Sequence, residues 1–262
     1  MSLPPTVLVI AATDSSGGAG LTRDVQVLKD LGVNALCVVT AVTAQSDRAV
    51  TAVHHVPPEV IRAQIRGALD TRPVNAVKIG MLGTQATVEA VAEALSEVHQ
   101  ASPRRATTLS LRGIPLVIDP VLVSSSGGVL LDEGGRAALT GALFPTATLV
   151  TPNVPEAAAL LGQPTATDER TLLEQGRRLL HFGSQAILLK GGHSVGPESV
   201  DLLISREGVE RLSAPRAAGS SRGTGCALAS AVAAGLASGQ TLLEACAAAK
   251  RYVRGMLCLP YG

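Results

Sequence analysis

A short apolar run, a glycine-rich turn and a helical segment follow one another in VLVIAATDSSGGAGLTRDVQVLKDL, residues 7–31. Residues 7–12 are apolar without interruption, which is typical of a strand buried on both faces of a parallel sheet. From Leu21 onward, apolar side chains recur at helical spacing, with Val25 and Leu28 expected on the same face. The stretch therefore predicts the strand, turn and helix that begin a βαβ unit.

The same alternation continues toward the C-terminus. Further strands are predicted at residues 35–42, 76–79, 116–118, 149–151, 186–190, 200–204 and 209–212. Helices are predicted at residues 58–69, 84–98, 133–143, 155–161 and 168–182, and two alanine-rich helices begin at Thr224 and Thr241. The last two strands are only a few residues apart, which predicts an antiparallel hairpin at one edge of the sheet. Polar residues 99–112 predict a surface loop. The pattern indicates an α/β fold with a mostly parallel sheet.

Composition excludes several classes of protein. Apolar residues make up 46% of the 262 residues and charged residues 16%, which supplies a packed core and excludes intrinsic disorder. The net charge of +1 argues against a basic nucleic-acid groove, and an aromatic content of 2% leaves few stacking platforms for single strands. We therefore expect no nucleic-acid partner.

Hydrophobic stretches and cysteines bear on location. The longest run of small apolar residues, 226–237, is shorter than the roughly 20 residues that span a bilayer, and residues 7–12 are too short for a signal peptide. The four cysteines form no C-x-x-C pair, which is typical of a reducing compartment. We expect a cytoplasmic protein with no membrane partner.

Two glycine-rich stretches are candidate ligand-binding turns. Residues 13–20 follow the first strand, and glycines such as Gly18 let the backbone approach a ligand closely. Near the C-terminus, residues 222–226 (RGTGC) begin a helix, where N–H groups and the helix dipole can bind an anion. Cys226 lies in the first turn, where the same dipole would stabilise a thiolate. The simpler interpretations are a tight turn and a small buried cysteine.

Polar residues at other strand ends suit a magnesium nucleotide. Asp119 and Glu156 are candidate ligands of Mg²⁺, whereas Lys190 and Asn153 offer donors to phosphates. The sequence has no G-x-x-x-x-G-K-[ST], which excludes a P-loop, and no G-x-G-x-x-G, which counts against a Rossmann dinucleotide fold.

Seven short motifs occur in an order that resembles the ribokinase-like family, and within it the hydroxymethylpyrimidine and phosphomethylpyrimidine kinases of thiamine biosynthesis. The resemblance covers nearly the whole chain. The motifs are TDSSGGAG (13–20) with Asp24, TAVTAQ (40–45), KIGML (78–82), VIDPV (117–121), TPNVPEA (151–157), KGGH (190–193) and GTGC (223–226).

The resemblance implies a three-layer α/β/α sandwich, with residues 1–262 as one domain, and a homodimer. It also implies a small-molecule pyrimidine substrate, with ATP and Mg²⁺ required for catalysis. Such enzymes phosphorylate 4-amino-5-hydroxymethyl-2-methylpyrimidine and then its monophosphate, giving the pyrophosphate.

The resemblance also assigns residues to the two ends of the site. Gln45 and Asp24 fall in the pyrimidine pocket with Gly18, Ala12 and an apolar wall from Met81. The Gln45 amide can donate to a ring nitrogen while it accepts from the 4-amino group. At the reacting end, Gly223, Thr224, Gly225 and Cys226 resemble an anion hole for the transferred phosphoryl group. Lys190 would lie along the nucleotide phosphates, and Asn153, Glu156 and Asp119 would surround them and their Mg²⁺.

Some positions depart from the family pattern. Ala12 stands where glycine is usual, Arg222 replaces a histidine, and Ser125 and Gly128 replace a lysine and an aspartate. Arg222 could supply the missing positive charge near the phosphates. Cys226 stands where many ribokinase relatives carry an aspartate base, and its thiolate could accept the proton or position the hydroxyl.

Two other functions stay open at this point. One is a pyridoxal-type kinase, because the Gly-Thr-Gly-Cys ending also occurs in vitamin B6 kinases of the superfamily. The other is a pyrimidine-binding relative that has lost turnover, which the departures at Ala12 and Ser125 would favour. Gln45 favours the pyrimidine, since pyridoxal has no amine at that position.

Overall fold

The computed structural model describes residues 3–46, 48–100, 113–124, 127–191, 196–217, 219 and 221–258. Some residues considered above therefore lie outside the described part of the chain. They are residues 101–112 of the predicted loop, Ser125, and residues 192 and 193 at the end of the KGGH motif. Residues 99 and 100 belong to a helix rather than to the predicted loop.

Ten strands form two sheets within the residues described. They are β1 (Thr6–Ala11), β2 (Asn34–Val39), β3 (Ala41–Gln45), β4 (Val50–His55), β5 (Ala76–Ile79), β6 (Leu116–Ile118), β7 (Leu149–Val150), β8 (Ala186–Leu189), β9 (Glu198–Ser205) and β10 (Val209–Pro215). The large sheet has the order β10-β9-β8-β7-β6-β5-β1-β2. In this order, each strand from β8 across to β2 pairs in parallel with its neighbour, and β9 pairs antiparallel with both β8 and β10. Strands β3 and β4 form the second sheet. The predicted hairpin at one edge is confirmed.

In the same described part of the chain, eight α-helices connect or follow the strands. They are α1 (Gly20–Asp30), α2 (Pro58–Thr71), α3 (Gln85–Gln100), α4 (Glu133–Ala138), α5 (Val154–Leu161), α6 (Glu169–Leu180), α7 (Thr224–Ala237) and α8 (Leu242–Cys258). The helix predicted at residues 133–143 is only partly regular, because α4 continues as a π-helical turn, Leu139–Leu143. None of the helices in the described part of the chain is both long and apolar enough to cross a membrane.

The helices cover both faces of the large sheet. Strand β1 is buried along its whole length, and its side chains alternate between the two layers. Val7 and Val9 pack in the cluster that includes α1, α7 and α8, whereas Leu8 and Ile10 pack in the cluster that includes α2 to α6. This arrangement confirms the three-layer α/β/α sandwich.

Two predictions from periodicity were wrong. The strand predicted at residues 35–42 is divided at Thr40, whose hydroxyl donates to the Met81 carbonyl at 2.7 Å. After this point β3 leaves the large sheet and pairs antiparallel with β4, which was not predicted because its side chains are mostly half-buried or exposed. In α1, the buried face contains Asp24 and Val27 in place of Val25.

The strand order determines where a ligand can bind. The chain runs from β1 outward to β2 and then returns past β1 to β5, so the direction of winding reverses between β1 and β5. In open α/β sheets this reversal leaves a crevice at the carboxyl ends of the two strands. The glycine-rich turn 13–20 follows β1 at this edge, and Met81 follows β5.

Candidate active site

Lys190 is the centre of a charged cluster at the carboxyl edge of the sheet. Its Nζ lies 2.8 Å from Asp119 Oδ1 and 3.8 Å from Glu156 Oε2. The three side chains follow β8, β6 and β7, and all are largely buried. The Thr151 hydroxyl lies 3.4 Å from Asp119 Oδ1. The structure thus brings together a lysine and two carboxylates that are far apart in the sequence.

Asn153 and Glu156 also have a structural role. The Asn153 N–H donates to Glu156 Oε2 at 2.8 Å, and the Glu156 N–H donates to Asn153 Oδ1 at 2.8 Å. This capping box closes the N-terminus of α5 and accounts for both residue types without a ligand. It also fixes the Glu156 carboxylate beside Lys190.

Burial and charge act differently on the pKa values of this cluster. Burial alone would raise the pKa of Asp119, but the positive charges of Lys190 and Lys78 outweigh it and hold the pKa below its usual value. Burial raises the pKa of Glu156 despite the attraction of Lys190. Burial opposes the charge on Lys190, but Asp119 and Glu156 raise the pKa of its ammonium. At neutral pH the Lys190–Asp119 pair is therefore ionised.

The N-terminus of α7 meets this cluster. A Cβ added at Gly225 would lie 3.2 Å from Lys190 Nζ and 3.6 Å from Asp119 Oδ2, so the Gly225 backbone lies close to the ion pair. Gly223 is the N-cap residue, with a φ of 73°, and a Cβ there would collide with the Gly18 carbonyl oxygen. Since Gly223 has no side chain to cap the helix, the first-turn N–H groups can face a ligand.

Cys226 does not have the acidic thiol that its place on the helix predicts. Burial among protein atoms raises the pKa of the Cys226 thiol to about 12. The charge of Lys78 and a hydrogen bond from the Gly20 backbone lower this pKa, but they offset only part of the effect of burial. Asp24 and Asp119 raise the pKa further. The prediction that Cys226 is a thiolate was therefore wrong, since a thiol with this pKa is protonated at neutral pH.

Arg222 joins the two glycine-rich turns. Its Nη2 lies 3.2 Å from Asp14 Oδ2, and its Nη1 donates to the Ser16 hydroxyl at 2.9 Å. Asp14 is buried, and its Oδ1 accepts from both the N–H and the hydroxyl of Ser16. A Cβ added at Gly18 would lie 3.5 Å from Arg222 Nη1, which places Gly18 beside the same guanidinium.

Ala12 and Met81 lie together at the ends of β1 and β5. Both are buried in one apolar cluster with Ala41 and Leu130. Gln45, at the end of β3, is half-buried, and its backbone N–H and carbonyl both bond to the Ser15 hydroxyl. The Thr43 hydroxyl lies 3.4 Å from Gln45 Oε1. Three of the residues predicted to bind the pyrimidine therefore occur in neighbouring segments at the same edge of the sheet.

Asp24 is placed differently from its prediction. Its side chain has no exposed surface, and its carboxylate is paired with Lys78 at 2.7 Å. The Ser230 hydroxyl donates to its other oxygen at 2.8 Å. A buried carboxylate needs a cation as partner, which Lys78 supplies. Because its side chain is fully buried, Asp24 lies beneath the site and not in the wall of a pocket.

Sequence reasoning missed Lys78 and Ser230 as members of this site. A lysine inside the apolar strand AVKI was the available signal, since an unpaired ammonium in a buried strand is costly.

Gly128, a departure from the family pattern, is an exposed residue whose N–H donates to the Ser124 hydroxyl. Among the described residues, no three His, Cys, Asp or Glu side chains are grouped so as to hold a metal ion.

Comparisons with known proteins identify a family. The family described as phosphomethylpyrimidine kinase matches residues 14–259. A hydroxymethylpyrimidine/phosphomethylpyrimidine kinase of Rhizobium meliloti is 40% identical over 251 residues, which are 95% of this chain and 89% of the relative.

Two solved structures are also similar to this chain. The phosphomethylpyrimidine kinase of Clostridium difficile 630 has a TM-score of 0.78 and 31% identity, and the match covers 96% of this chain and 99% of that one. The pyridoxal kinase of Staphylococcus aureus in complex with AMP-PCP and pyridoxal has a TM-score of 0.85 and 27% identity, covering 100% and 90%.

Proposed function

The chain belongs to the phosphomethylpyrimidine kinase family, and from this membership we propose that it phosphorylates 4-amino-5-hydroxymethyl-2-methylpyrimidine and then its monophosphate, using ATP. In the first transfer a bond forms between the hydroxyl oxygen and the γ-phosphorus, the bond to the bridging oxygen breaks so that ADP leaves, and the hydroxyl proton is released to solvent. In the second, a phosphate oxygen of the monophosphate forms a bond to the γ-phosphorus of another ATP, the bond to the bridging oxygen breaks, and the pyrophosphate and ADP are the products. The observation that carries the proposal is the approach of the Gly225 backbone to Lys190 and Asp119.

Lys190 and the first turn of α7 would hold the transferred phosphoryl group. The Lys190 ammonium is held by two carboxylates at the carboxyl edge of the sheet, where it can attract phosphate oxygens. The N–H groups of Gly223, Thr224, Gly225 and Cys226 would donate to the same group as its negative charge is redistributed. Asn153, whose side chain caps α5, and Arg222 would lie at the margins of the nucleotide phosphates.

Asp119 and Glu156 fit a magnesium ion. Two oxygen-bearing groups beside a lysine suit Mg²⁺, which commonly takes one or two carboxylates and completes its coordination with water and phosphate oxygens. Asp119 is ionised at neutral pH, and Glu156 is held in place by the capping box. Bound Mg²⁺ would neutralise phosphate charge. The protein's own contribution is to hold these carboxylates in fixed positions, through Lys190 and the capping box.

Gln45, Gly18, Ala12 and Met81 would hold the pyrimidine at the other end of the site. The Gln45 amide can satisfy one ring nitrogen and the 4-amino group together. Ala12 and Met81 would pack against the ring and its methyl group, since both belong to the apolar cluster at the ends of β1 and β5. The extra methyl of Ala12 is accommodated within that cluster, where the residue is 2% exposed.

Cys226 would position the attacking hydroxyl rather than act as its resting base. A thiol with a pKa of about 12 is protonated at neutral pH, so it can donate to or accept from a hydroxyl without holding a charge. The second transfer requires no deprotonation of a hydroxyl, because the attacking oxygen is already anionic. A positioning role for Cys226 thus suits both transfers.

The experiment that tests this function measures ADP release with three acceptors in parallel: the hydroxymethylpyrimidine, its monophosphate and pyridoxal. We expect ADP from both pyrimidines and much less from pyridoxal. Release with pyridoxal alone would favour the vitamin B6 kinase, and binding of the pyrimidine without ADP release would favour a non-catalytic relative. Lys190→Met should abolish release, whereas Lys29→Met, at an exposed lysine of α1, should not.

We also propose that residues 1–262 form one domain, that two copies form a homodimer and that the protein works in the cytoplasm. These proposals rest on the family resemblance and on the near-neutral composition. Light scattering after size-exclusion chromatography tests the dimer: a mass twice that of the chain is expected. A single cooperative unfolding transition followed by two independent probes would support one domain.

A further inference from the structure

Lys78 and Asp24 form an ion pair inside the protein. Lys78 Nζ lies 2.7 Å from Asp24 Oδ2, and both side chains have no exposed surface. Pairs of this kind often add nothing to stability compared with apolar residues of the same volume, because two charges must be desolvated. Stability alone therefore does not account for this pair.

The pair connects three elements that surround the site. Asp24 lies on α1, directly after the glycine-rich turn 13–20, and Lys78 lies on β5, before Met81. The second carboxylate oxygen of Asp24 accepts from the Ser230 hydroxyl of α7 at 2.8 Å. Ser230 is four residues after Cys226 and therefore lies on the same face of the helix. The carboxylate is thus bonded to the helix whose first turn meets Lys190 and Asp119.

The Lys78 ammonium extends toward the carboxyl edge of the sheet. A Cβ added at Gly80 would lie 2.9 Å from Nζ, so the end of the side chain is level with the residue that follows β5. The charge of Lys78 acts on Asp119 and Cys226 as well as on Asp24. Lys78 therefore contributes fixed positive charge directly beneath the region where phosphoryl charge would develop.

We propose that the Lys78–Asp24–Ser230 network positions the N-terminal turn of α7 for phosphoryl transfer. The inference rests on the proposed function and adds three positioning residues to it. None of the three touches substrate. Burial raises the pKa of Asp24, and the charge of Lys78 opposes this effect. Lys78 donates to one oxygen of Asp24, and the Ser230 hydroxyl of α7 donates to the other. Helix α7 in turn presents its N–H groups beside Lys190. Loss of the network should lower kcat, since small misplacements of catalytic groups reduce rate strongly.

The first test is Ser230→Ala, which removes one hydroxyl and leaves both charges paired. Its control is Ser238→Ala at the other end of α7, where the hydroxyl donates to the Ala234 carbonyl. We expect Ser230→Ala to lower kcat about tenfold with little change in KM for ATP. Ser238→Ala should change neither constant. Unchanged kcat in Ser230→Ala, or an effect on KM alone, would overturn the proposal.

The second test removes both charges together. Lys78→Met with Asp24→Asn keeps side-chain size and leaves no single buried charge, so the double variant is expected to fold, as circular dichroism would check. Its kcat should fall roughly 10²-fold. A folded double variant with wild-type kcat would refute the role of the pair.

Hydrogen exchange gives a readout that does not depend on activity. The Ala227 N–H donates to the Gly223 carbonyl at 2.8 Å in the first turn of α7. In ligand-free Ser230→Ala, exchange at Ala227 should be roughly tenfold faster than in wild type. Unchanged exchange would overturn the positioning role. Absence of ADP release from the wild-type protein, with faster exchange in the variant, would contradict only the proposed function.

Discussion

Arg222 and Asp14 form an ion pair across the mouth of the site, with 3.2 Å between Nη2 and Oδ2. The pair links the turn after β1 to the turn that begins α7, and the Ser16 hydroxyl strengthens it from one side. Arg222, which stands where the family usually has a histidine, is therefore held in place by its contacts with Asp14 and Ser16. Two roles follow for it, as a cation near the phosphates or as a link between two turns.

We predict that Arg222→Ala lowers kcat more than it changes KM for either substrate, because its charge and its link matter most as phosphoryl charge is redistributed. Asp14→Asn separates the two roles. If Arg222 acts as a link, Asp14→Asn has a similar effect and the double variant is no worse than either single one. If Arg222 acts as a phosphate ligand, Asp14→Asn leaves kcat nearly unchanged.

The matched control is Arg62→Ala, which breaks a more exposed ion pair with Glu93 between α2 and α3. It should leave both constants unchanged, since surface pairs contribute little. Unchanged kcat in Arg222→Ala would contradict both roles.

We predict that Gln45→Leu weakens binding of the aminopyrimidine by about 1–3 kcal/mol, because a ring nitrogen and an amine lose their partner in a desolvated pocket. KM for the pyrimidine should rise accordingly, while KM for ATP stays constant. Steady-state kinetics with each substrate varied in turn measures both. Gln26→Leu, on the exposed face of α1, is the control. A KM for the pyrimidine that stays at the wild-type value shows that Gln45 lies outside the pocket.

The pKa of Cys226 predicts slow alkylation. Because the thiolate is the reacting form, a thiol with a pKa of about 12 should react with iodoacetamide at pH 7.5 far more slowly than the exposed Cys258. The rate at Cys226 should continue to rise with pH up to the highest pH at which the protein stays folded. Mass spectrometry of labelled peptides distinguishes the sites. A plateau near pH 7 would indicate a thiolate and contradict the structure.

Replacement of Cys226 tests its contact with the reacting hydroxyl. We expect Cys226→Ala to fold and to bind nucleotide but to turn over about 10²-fold more slowly, because misplacement of the attacking hydroxyl reduces the rate strongly. Cys226→Asp installs the base of ribokinase relatives and should recover part of the rate of the first transfer.

Cys246→Ala, at a buried cysteine of α8 whose pKa burial also raises to about 12, controls for loss of a buried thiol. It should retain turnover. Near-full turnover of Cys226→Ala would reduce Cys226 to a packing residue.

The Lys190–Asp119 pair predicts a dependence of stability on pH. Because the folded pKa of Asp119 lies below its unfolded value of about 3.9, the stabilisation is fully present above pH ~4 and is lost as the pH falls through the folded pKa. Asp119→Asn should lower the free energy of unfolding at pH 7. The difference from wild type should shrink below pH ~4, as urea unfolding across pH would show. A difference that stays constant with pH would contradict the ionised pair; the exposed Asp70→Asn is the control.

The reacting end of the site could be predicted from the sequence because a parallel sheet collects the carboxyl ends of its strands at one edge. Asp119 and Glu156 come shortly after predicted strands and Lys190 is the last residue of one, so their meeting follows from the topology. The Gly-Thr-Gly-Cys turn was recognisable because glycines at a helix start leave N–H groups open to an anion.

Pairings across the fold were not predictable in the same way. Asp24 and Lys78 are 54 residues apart, and a charged residue in a helical pattern is normally assigned to the polar face. The β3–β4 sheet was missed because its side chains lack the continuous burial of the other strands. The pKa of Cys226 depends on desolvation by segments from several parts of the chain, whereas the sequence shows only the local helix start.

The protonated state of Cys226 bears on how the protein withstands oxidants. Hydrogen peroxide and disulfides react with thiolates, and the first product, a sulfenic acid, would place an extra oxygen against the first turn of α7. At a pKa of about 12 almost none of the sulfur is in that reactive form at neutral pH. The exposed Cys258 offers oxidants a more accessible sulfur. The raised pKa of Cys226 thus lowers the reactivity toward oxidants that we expect of this thiol.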